Sequence, residues 1–350
     1  MTDDILARYP GVAGTPLAMA LMCTPLLALG RHDDAYAMGR AALVRAPTDT
    51  AVADLVRKAL SANVPPFHLG MLRDEPRNSC YAAAIERLVR PGMQVLEIGT
   101  GSGLLALLAA RAGATVVTCE SNPVIAAAAR AIVAANGFAD RIRVVGKLST
   151  DLVVGIDLDR PADLLVSEVF GAGLFEEGVV ASIADARARL LRADAAIVPP
   201  RAALRCALAG HDRLDRGVLD TVLGFDLSPF TSLTRPRRHL SNAPDPRVAL
   251  RSMPVTTLAV DFAGAPIRTL HDRVALISEG GRVDGIAQWL HLDFGDGVTY
   301  ENPPFDSPLA HWAVLVHPFA TPLETAPGEV VAADARVFGR ELVVSLVTGA

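Results

Sequence analysis

Three glycines at alternate positions, Gly99, Gly101 and Gly103, follow the mainly apolar residues 95–98 and precede an apolar helical segment. This pattern predicts a buried strand that enters a tight turn and then a helix. Glycine lets the backbone bend sharply and approach a ligand, and the first N–H groups of the helix face the same ligand. A second apolar segment ends at Glu120, about 20 residues past the first glycine, where sites of the Rossmann type hydrogen-bond a ribose diol. Together these features predict a nucleotide-like ligand.

Two carboxylates predict a second site. Glu168 follows the strand predicted over the mainly apolar residues 162–166, and the carboxyl end of a buried parallel strand faces the crevice where such sheets bind ligands. Glu177 comes nine positions later, after a loop that contains glycine, and can fold back to face Glu168. Two like charges held close are costly unless a cation lies between them, and a guanidinium is the natural cation. Glu176 is interpreted as an ordinary acid at the start of the next helix, favoured by the helix dipole.

The elements that must position these groups alternate between strands and helices, which predicts a doubly wound α/β sheet. The segment 65–92, which leads into the glycine strand, has the pattern of one amphipathic helix. The expected strands and helices after the glycine turn are 115–119, 123–136, 142–145, 162–166 and 179–191.

The chain divides into three predicted parts: a helical N-terminal unit over 1–62, a Rossmann domain over 63–198, and a domain of antiparallel strands over 199–350. Short alternating runs separated by Gly, Pro and Asp predict the strands, with an insertion near 211–251 that carries some helix. The N-terminal unit contains one helical hairpin of the tetratricopeptide type, and it is interpreted as a docking or dimerisation element.

Composition excludes several classes of protein. The chain has 350 residues, a net charge of −5 and a pI near 5.9, which argues against nucleic acid as a partner. Its N-terminus lacks the basic and apolar regions of a signal peptide, and no apolar run reaches about 18 residues, so we expect a cytoplasmic protein that does not enter a membrane. The four cysteines have no metal-binding spacing, which predicts buried reduced thiols and no metal site.

Five motifs in order resemble those of protein arginine methyltransferases, from Pro66 to the C-terminus. They are H-x-x-M-L-x-D-x-x-R from His68, VLEIGTGSG with Glu120, GKLS from Gly146, SEVFGAGLFEEG from Ser167, and AHW from Ala310. The resemblance implies S-adenosylmethionine as methyl donor, S-adenosylhomocysteine as product, a Rossmann domain followed by a β-barrel, and a homodimer.

The resemblance also implies a role for each matching residue. The cofactor would contact His68, Met71, Arg77, Gly99, Thr100, Gly101, Gly103, Glu120, Leu148 and Ser149. The acceptor would contact Glu168, Glu177, His311 and Trp312. Asp74 would pair with His311, either to clamp the two domains or to relay a proton.

The chain departs from the family pattern in ways that bear on the acceptor. In the family, a Y-F-x-x-Y motif precedes the helix that covers the cofactor, which the motif from His68 resembles. Here residues 63–67 replace that motif, Ser149 stands where many members have Glu, and Ala310 replaces a threonine. The sequence resembles the monomethylating branch and bacterial enzymes that methylate free L-arginine in natural-product pathways of the streptozotocin type. A basic cluster at residues 235–238 would repel a basic protein tail or bind the carboxylate of an amino acid; as a third interpretation it is a solvated loop.

These observations favour methylation of free L-arginine. Three alternatives stay open: a protein arginine methyltransferase that acts on arginine- and glycine-rich segments, a small-molecule methyltransferase with another amine as acceptor, and a cofactor-binding scaffold without activity.

Overall fold

In the computed structural model, the chain is described over residues 2–211, 214, 216–234, 238–240, 248–264, 270–304 and 310–347, with the backbone alone at 2, 3 and 238–240. These residues form two compact units. The first comprises Met1–Leu69, Leu88–Ser167 and Arg189–Ala195, and the second comprises Gly70–Arg87, Glu168–Ala188 and Ala196–Ala350. The division into three domains predicted from sequence stays a prediction.

A five-stranded sheet forms the centre of the first unit. Its order is β3-β2-β1-β4-β5, with β1 parallel to β2 and β4, and β2 parallel to β3. The strands are β1 (Gln94–Ile98), β2 (Thr115–Cys119), β3 (Ile142–Val145), β4 (Ala162–Ser167) and β5 (Leu191–Val198). All of β1 is buried, as expected for a parallel strand covered on both faces. The connecting helices are α7 (Leu104–Arg111), α8 (Pro123–Ala135) and α9 (Val179–Arg189).

The N-terminal helices belong to this first unit. They are α1 (Thr2–Arg8), α2 (Pro16–Ala28), α3 (His32–Arg45) and α4 (Thr50–Ser61), with a 3₁₀ turn at Pro10–Val12. Their apolar faces meet in a core of their own that includes Met19, Cys23, Met38 and Val56. Helix α3 packs against α8, and Asp33 of α3 forms an ion pair with Arg130 of α8 at 2.7 Å.

The segment ahead of β1 forms two helices, α5 (Phe67–Arg73) and α6 (Glu75–Leu88). The single helix predicted from its periodicity is therefore wrong. The break lies at Asp74, whose carboxylate accepts a hydrogen bond of 3.1 Å from the N–H of Arg77 and so caps α6. Pro76, in the first turn of α6, has no N–H to donate to a continuous helix.

The second unit contains an antiparallel sheet with the order β10-β6-β12-β14-β15, in which β11 also pairs with β6, β13 with β12 and β9 with β14. Its long strands β12 and β14 shift register twice, between Ile277 and Glu279 and between Val283 and Gly285, and such bulges bend a sheet. The strands are β6 (Arg201–His211), β7 (Thr221–Val222), β8 (Phe225–Asp226), β9 (Arg238–Leu240), β10 (Val248–Leu250), β11 (Val255–Asp261), β12 (His271–Asp293), β13 (Thr299–Glu301), β14 (Val314–Phe338) and β15 (Glu341–Leu346).

The predicted fold class is confirmed: a parallel sheet with flanking helices, an antiparallel sheet, and helices at the N-terminus. Two details differ. Helix α9 ends at Arg189 and is followed by β5, which the sequence pattern did not reveal because residues 192–194 are exposed and include the charged Arg192 and Asp194. Within its described residues, the insertion contains a β7–β8 hairpin besides its helical part, which is a 3₁₀ helix, Ser228–Leu233. Among the helices that the structure describes, none has both the length and the apolarity needed to cross a bilayer.

Candidate active site

The glycine turn after β1 has the backbone that only glycine adopts readily. Gly99, Gly101 and Gly103 have φ values of +87°, +51° and +82°, in the half of φ space where a Cβ atom collides with the backbone. These glycines are therefore required by the path of the chain as well as by any ligand.

A buried chain of hydrogen bonds supports this turn. The Thr118 hydroxyl donates to the Glu97 carboxylate at 2.6 Å and lies 2.6 Å from the Thr100 hydroxyl. Since the single hydroxyl proton of Thr118 is donated to Glu97, the hydrogen bond between the two hydroxyls is donated by Thr100 and accepted by Thr118. The buried Thr100, one of the predicted cofactor residues, thus fixes the turn from beneath.

Glu120 lies against the glycine turn. One carboxylate oxygen accepts the Gly101 N–H at 3.1 Å and the other accepts the Asn122 N–H at 2.8 Å. The side chain is half-buried, and each oxygen has a second lone pair. The structure therefore brings the predicted ribose acid and the turn together in the first unit.

Three further predicted residues of the first unit differ in exposure. Ser149 is buried and begins a 3₁₀ turn, whereas Leu148 is 58% exposed. His68 is half-buried; burial lowers its pKa, and the nearby charge of Glu120 opposes that shift. His68 also lines a mostly apolar cavity of about 400 Å³ together with Gly101 and residues of α3, α4 and α8.

In the second unit, Arg77 and Glu168 form a shielded ion pair. The Arg77 Nη2 atom lies 2.8 Å from Glu168 Oε2, and the two side chains are 2% and 10% exposed. Burial raises the pKa of Glu168 to about 7; the Arg77 charge opposes this shift, and the charges of Glu177 and Asp74 add to it. The negative charge of Glu177 thus contributes to the raised pKa of Glu168. That these two carboxylates hold a cation between them, as an acidic clamp, stays a prediction.

Asp74 collects hydrogen bonds at the centre of this cluster. Its carboxylate accepts hydrogen bonds from the Tyr300 hydroxyl at 2.7 Å and from the backbone N–H groups of His311 at 3.2 Å and Arg77 at 3.1 Å. The same carboxylate lies 3.3 Å from the ring atom Nδ1 of His311. Burial by itself would raise the pKa of Asp74, but the bonds from His311 and Tyr300 outweigh it and hold the pKa below its usual value. Asp74 is therefore ionised near neutral pH.

This charge sets the orientation of His311. An ionised carboxylate has no proton to give, so His311 Nδ1 carries the hydrogen and Nε2 faces away from Asp74. His311 Nε2 lies 4.0 Å from Glu168 Oε1. Asp74, His311 and Glu168 thus stand in one row, with a basic nitrogen beside the carboxylate predicted to hold the acceptor.

The loop between Glu168 and Glu177 is anchored to the antiparallel sheet within the same unit. The Trp312 indole donates to the Phe170 carbonyl at 2.7 Å, and the Gln288 amide donates to the Ala172 carbonyl at 2.9 Å. The ring of Trp312 also lies 4.0 Å from that of His311, between centroids. Trp312 therefore supports the loop while it packs on the histidine.

The structure divides the predicted site residues between the two units. The first unit holds those predicted for the nucleoside part of the cofactor, and the second holds Met71, Asp74, Arg77, Glu168, Glu177, His311 and Trp312. Tyr300 and Gln288 were missed by sequence reasoning. Neither belongs to a motif, and each contacts its partner across a long separation in sequence.

Glu176 departs from its prediction. Helix α9 begins at Val179, and the Glu176 carboxylate turns back from it to accept the Gly173 N–H at 2.8 Å. Its interpretation as an acid that stabilises the helix start is therefore wrong, since its hydrogen bond lies within the preceding loop. Glu177, in contrast, is exposed.

Comparison with known proteins places these features in a family. The family model of ribosomal protein L11 methyltransferases (PrmA) matches residues 78–192. Over 323 residues the chain is 36% identical to the arginine N(omega)-methyltransferase of Streptomyces achromogenes subsp. streptozoticus, covering 88% of this chain and 86% of that protein. Over 263 residues it is 33% identical to protein arginine N-methyltransferase 7 of Oryza sativa subsp. indica; this match covers 68% of this chain and only 36% of the rice protein.

Solved structures share the fold. The Trypanosoma brucei PRMT1 enzyme–prozyme heterotetrameric complex with AdoHcy matches with a TM-score of 0.71 at 24% identity, covering 82% of this chain and 93% of that chain. Arabidopsis thaliana protein arginine methyltransferase 10 matches with a TM-score of 0.64 at 21% identity, covering 76% and 86%. With the extensive identity to the Streptomyces enzyme, these matches show that the chain belongs to the protein arginine methyltransferase family and is an S-adenosylmethionine-dependent arginine N-methyltransferase.

Proposed function

We propose that this enzyme methylates a terminal guanidino nitrogen of free L-arginine and releases Nω-monomethyl-L-arginine for the biosynthesis of a specialised metabolite. The observation that carries the proposal is the identity of 36% to a Streptomyces enzyme named for arginine itself, over 86% of that enzyme's length. The Glu168 carboxylate, buried beside Arg77 and sensing the charge of Glu177, supplies a site for a cation. The basic cluster at 235–238, which we predict to disfavour protein tails, lies outside the described residues at 235–237, and only the backbone of Arg238 is described.

Several described residues suit the chemistry of the cofactor. When bound, S-adenosylmethionine supplies an electrophilic methyl group on a sulfonium. We assign the ribose to Glu120, because each carboxylate oxygen has a second lone pair that can accept a hydroxyl. We assign to the turn at Gly99 and Gly101 the part of the site where the backbone approaches the cofactor closely. We assign its carboxylate to Arg77, because the buried Nε of Arg77 has no hydrogen-bond partner among the described residues. Leu148 and Ser149 remain our assignment for the adenine.

The carboxylates activate the acceptor. A guanidinium stays charged near neutral pH and its lone pairs are delocalised, so it is a poor nucleophile. We assign to Glu168 and Glu177 the hydrogen bonds that draw positive charge away from one terminal nitrogen and direct that nitrogen toward the methyl group. Methyl transfer also requires the reacting atoms to lie about 3 to 3.5 Å apart, so a rigid loop around the two glutamates contributes directly to rate.

The nitrogen must lose a proton once it carries the methyl group. His311 Nε2, which lies 4.0 Å from Glu168 and is oriented through Nδ1 by Asp74, is our candidate for the acceptor of that proton. Glu168 can pass the proton to it, because the pKa of Glu168 near 7 is close to the usual pKa of histidine.

We further propose that the enzyme is a homodimer. The related trypanosomal enzyme forms a heterotetrameric complex. The segment 218–233 exposes a run of apolar side chains, with Leu223 94%, Phe225 72% and Leu233 72% exposed, and a second copy of the chain would shield them. The N-terminal helices, in contrast, bury most of their apolar residues in their own core, which favours the segment 218–233 over these helices as the dimer contact.

A competition experiment tests the acceptor. Free L-arginine and an arginine-glycine peptide are mixed with the enzyme and S-adenosylmethionine, and the products are separated by mass spectrometry. We expect free arginine to have the higher kcat/KM and arginine methyl ester, which lacks the carboxylate charge, to be poorer. Efficient methylation of the peptide without turnover of free arginine would assign the enzyme to protein substrates instead.

A further inference from the structure

Glu176 lies inside the loop that joins the two proposed clamp residues. Its carboxylate accepts the Gly173 N–H at 2.8 Å, three residues back along the chain, and its side chain is half-buried. Neither the resemblance to the family nor the proposed mechanism uses this third acid.

The side chain of Glu176 occupies the space above two glycines. A Cβ atom added at Gly171 would overlap Glu176 Oε2, and one added at Gly173 would lie 2.6 Å from Glu176 Oε1. At both positions the three nearest atoms all belong to the Glu176 side chain, and neither glycine has a positive φ. Glu176 is therefore the group that excludes a side chain at 171 and 173, since the backbone there would accept one.

The loop needs such support because its path is unfavourable. Leu174 is fully buried with φ of +70°, a conformation that is unfavourable for a residue with a Cβ atom. Turn hydrogen bonds from Leu174 N to the Gly171 carbonyl at 2.9 Å and from Phe175 N to the Gly173 carbonyl at 2.9 Å follow the same path. The Glu176 carboxylate packs on the face of this turn where Gly171 and Gly173 have no side chains, and it accepts the Gly173 N–H there.

We propose that Glu176 is a positioning residue: packed on Gly171 and Gly173, it fixes the loop so that Glu177 is held opposite Glu168. This inference rests on the proposed function, because it assumes that Glu168 and Glu177 grip the acceptor. Glu176 acts through the loop and does not itself contact the guanidinium, so the geometry and hydrogen-bonding capacity of its side chain matter more than its charge.

The first test compares two substitutions. Glu176→Gln keeps an oxygen that accepts the Gly173 N–H, and we expect its kcat to stay within about threefold of the native value. Glu176→Ala frees the loop, and we expect kcat to fall by about 10- to 100-fold while the Kd for S-adenosylhomocysteine is unchanged. Glu329→Ala is the matched control: Glu329 is exposed and accepts the Ala326 N–H at 2.9 Å, also three residues back, in a turn of β14.

The second test is a double-mutant cycle. Gly171→Ala should lower kcat in the native background, because the new methyl group displaces the Glu176 carboxylate. In the Glu176→Ala background the same change should have little further effect, since the colliding atoms are gone. Additive losses would overturn the inference. Where Glu176→Ala binds the cofactor poorly, the single variants replace the cycle: a large loss in Gly171→Ala beside a near-native Glu176→Gln supports the inference, and a native Gly171→Ala overturns it.

The outcomes separate this inference from the proposed function. An inactive Glu177→Gln enzyme beside a fully active Glu176→Ala enzyme would overturn the positioning role alone. Losses of equal size in Glu176→Gln and Glu176→Ala would show that the charge of Glu176 acts directly. Normal turnover of arginine by Glu177→Gln would instead remove the clamp, and with it the proposed function.

Discussion

The guanidinium of Arg77 lies 2.8 Å from the carboxylate of Glu168, and both side chains are almost completely shielded from water. Even with this partner, burial and the charges of Glu177 and Asp74 raise the pKa of Glu168 to about 7. The carboxylate is therefore poised to change its charge at physiological pH, and a second guanidinium brought by the acceptor would complete its ionisation.

A pH dependence follows from this pKa. The acceptor binds to ionised Glu168, which is protonated below about pH 7 and charged above it. We expect kcat/KM for arginine, measured at saturating S-adenosylmethionine, to rise with pH through about 7 and to level off above it. Removing the opposing charge by Arg77→Gln should raise the pKa of Glu168 further and move this rise to higher pH. A flat profile between pH 6 and pH 8 would contradict the assignment.

Cofactor affinity should depend on Glu120. We expect Glu120→Ala to weaken binding of S-adenosylhomocysteine by about 1.5 to 3 kcal/mol, because charge-assisted hydrogen bonds to the ribose are lost. Isothermal titration calorimetry measures this change, with the exposed acid Asp140 replaced by alanine as a control that should not alter affinity. Unchanged binding by Glu120→Ala would remove Glu120 from the cofactor site.

Tyr300 should help to orient His311 through its hydrogen bond to Asp74. Tyr300→Phe removes the hydroxyl that donates to the buried carboxylate at 2.7 Å, and a hydrogen bond to a charged group contributes about 1.5 to 3 kcal/mol. We expect the free energy of unfolding in urea to fall by about that amount and kcat to fall with it, since His311 shares the same carboxylate. Tyr36→Phe, in the N-terminal helices, is the control. An unchanged free energy of unfolding would show that this bond contributes nothing.

Self-association should depend on the exposed apolar segment 218–233. We expect Leu223→Asp together with Phe225→Asp to convert a dimer to a monomer, as measured by analytical ultracentrifugation. Leu29→Asp places the same charge at a leucine that is 74% exposed at the end of α2 and should leave the dimer intact. The reverse result would assign the contact to the N-terminal helices.

The parts of the site that could be predicted from sequence lie at the ends of locally recognisable strands. The glycine turn follows β1, Glu120 follows β2 and Glu168 follows β4, and each strand has an apolar run that marks it as buried. The direction of the chain through such a sheet then places these residues at one edge.

The remaining features depend on contacts that sequence patterns do not encode. Tyr300 meets Asp74 across 226 residues, and no periodicity indicates which tyrosine does so. The break between α5 and α6 arises because Asp74 caps a helix inside a pattern that is helical on both sides. The role of Glu176 depends on the absence of side chains at Gly171 and Gly173, which became visible only when the path of the loop was known.

The measurement that tests the central claim most directly is single-turnover methylation of arginine by Glu168→Gln and Glu177→Gln enzymes. Each amide keeps the shape of the side chain but removes a charge that faces the guanidinium. We predict a fall in rate of at least about 100-fold for each, with the Kd for S-adenosylhomocysteine preserved to show that the fold is intact. Rates near the native value in both variants would contradict the acidic clamp.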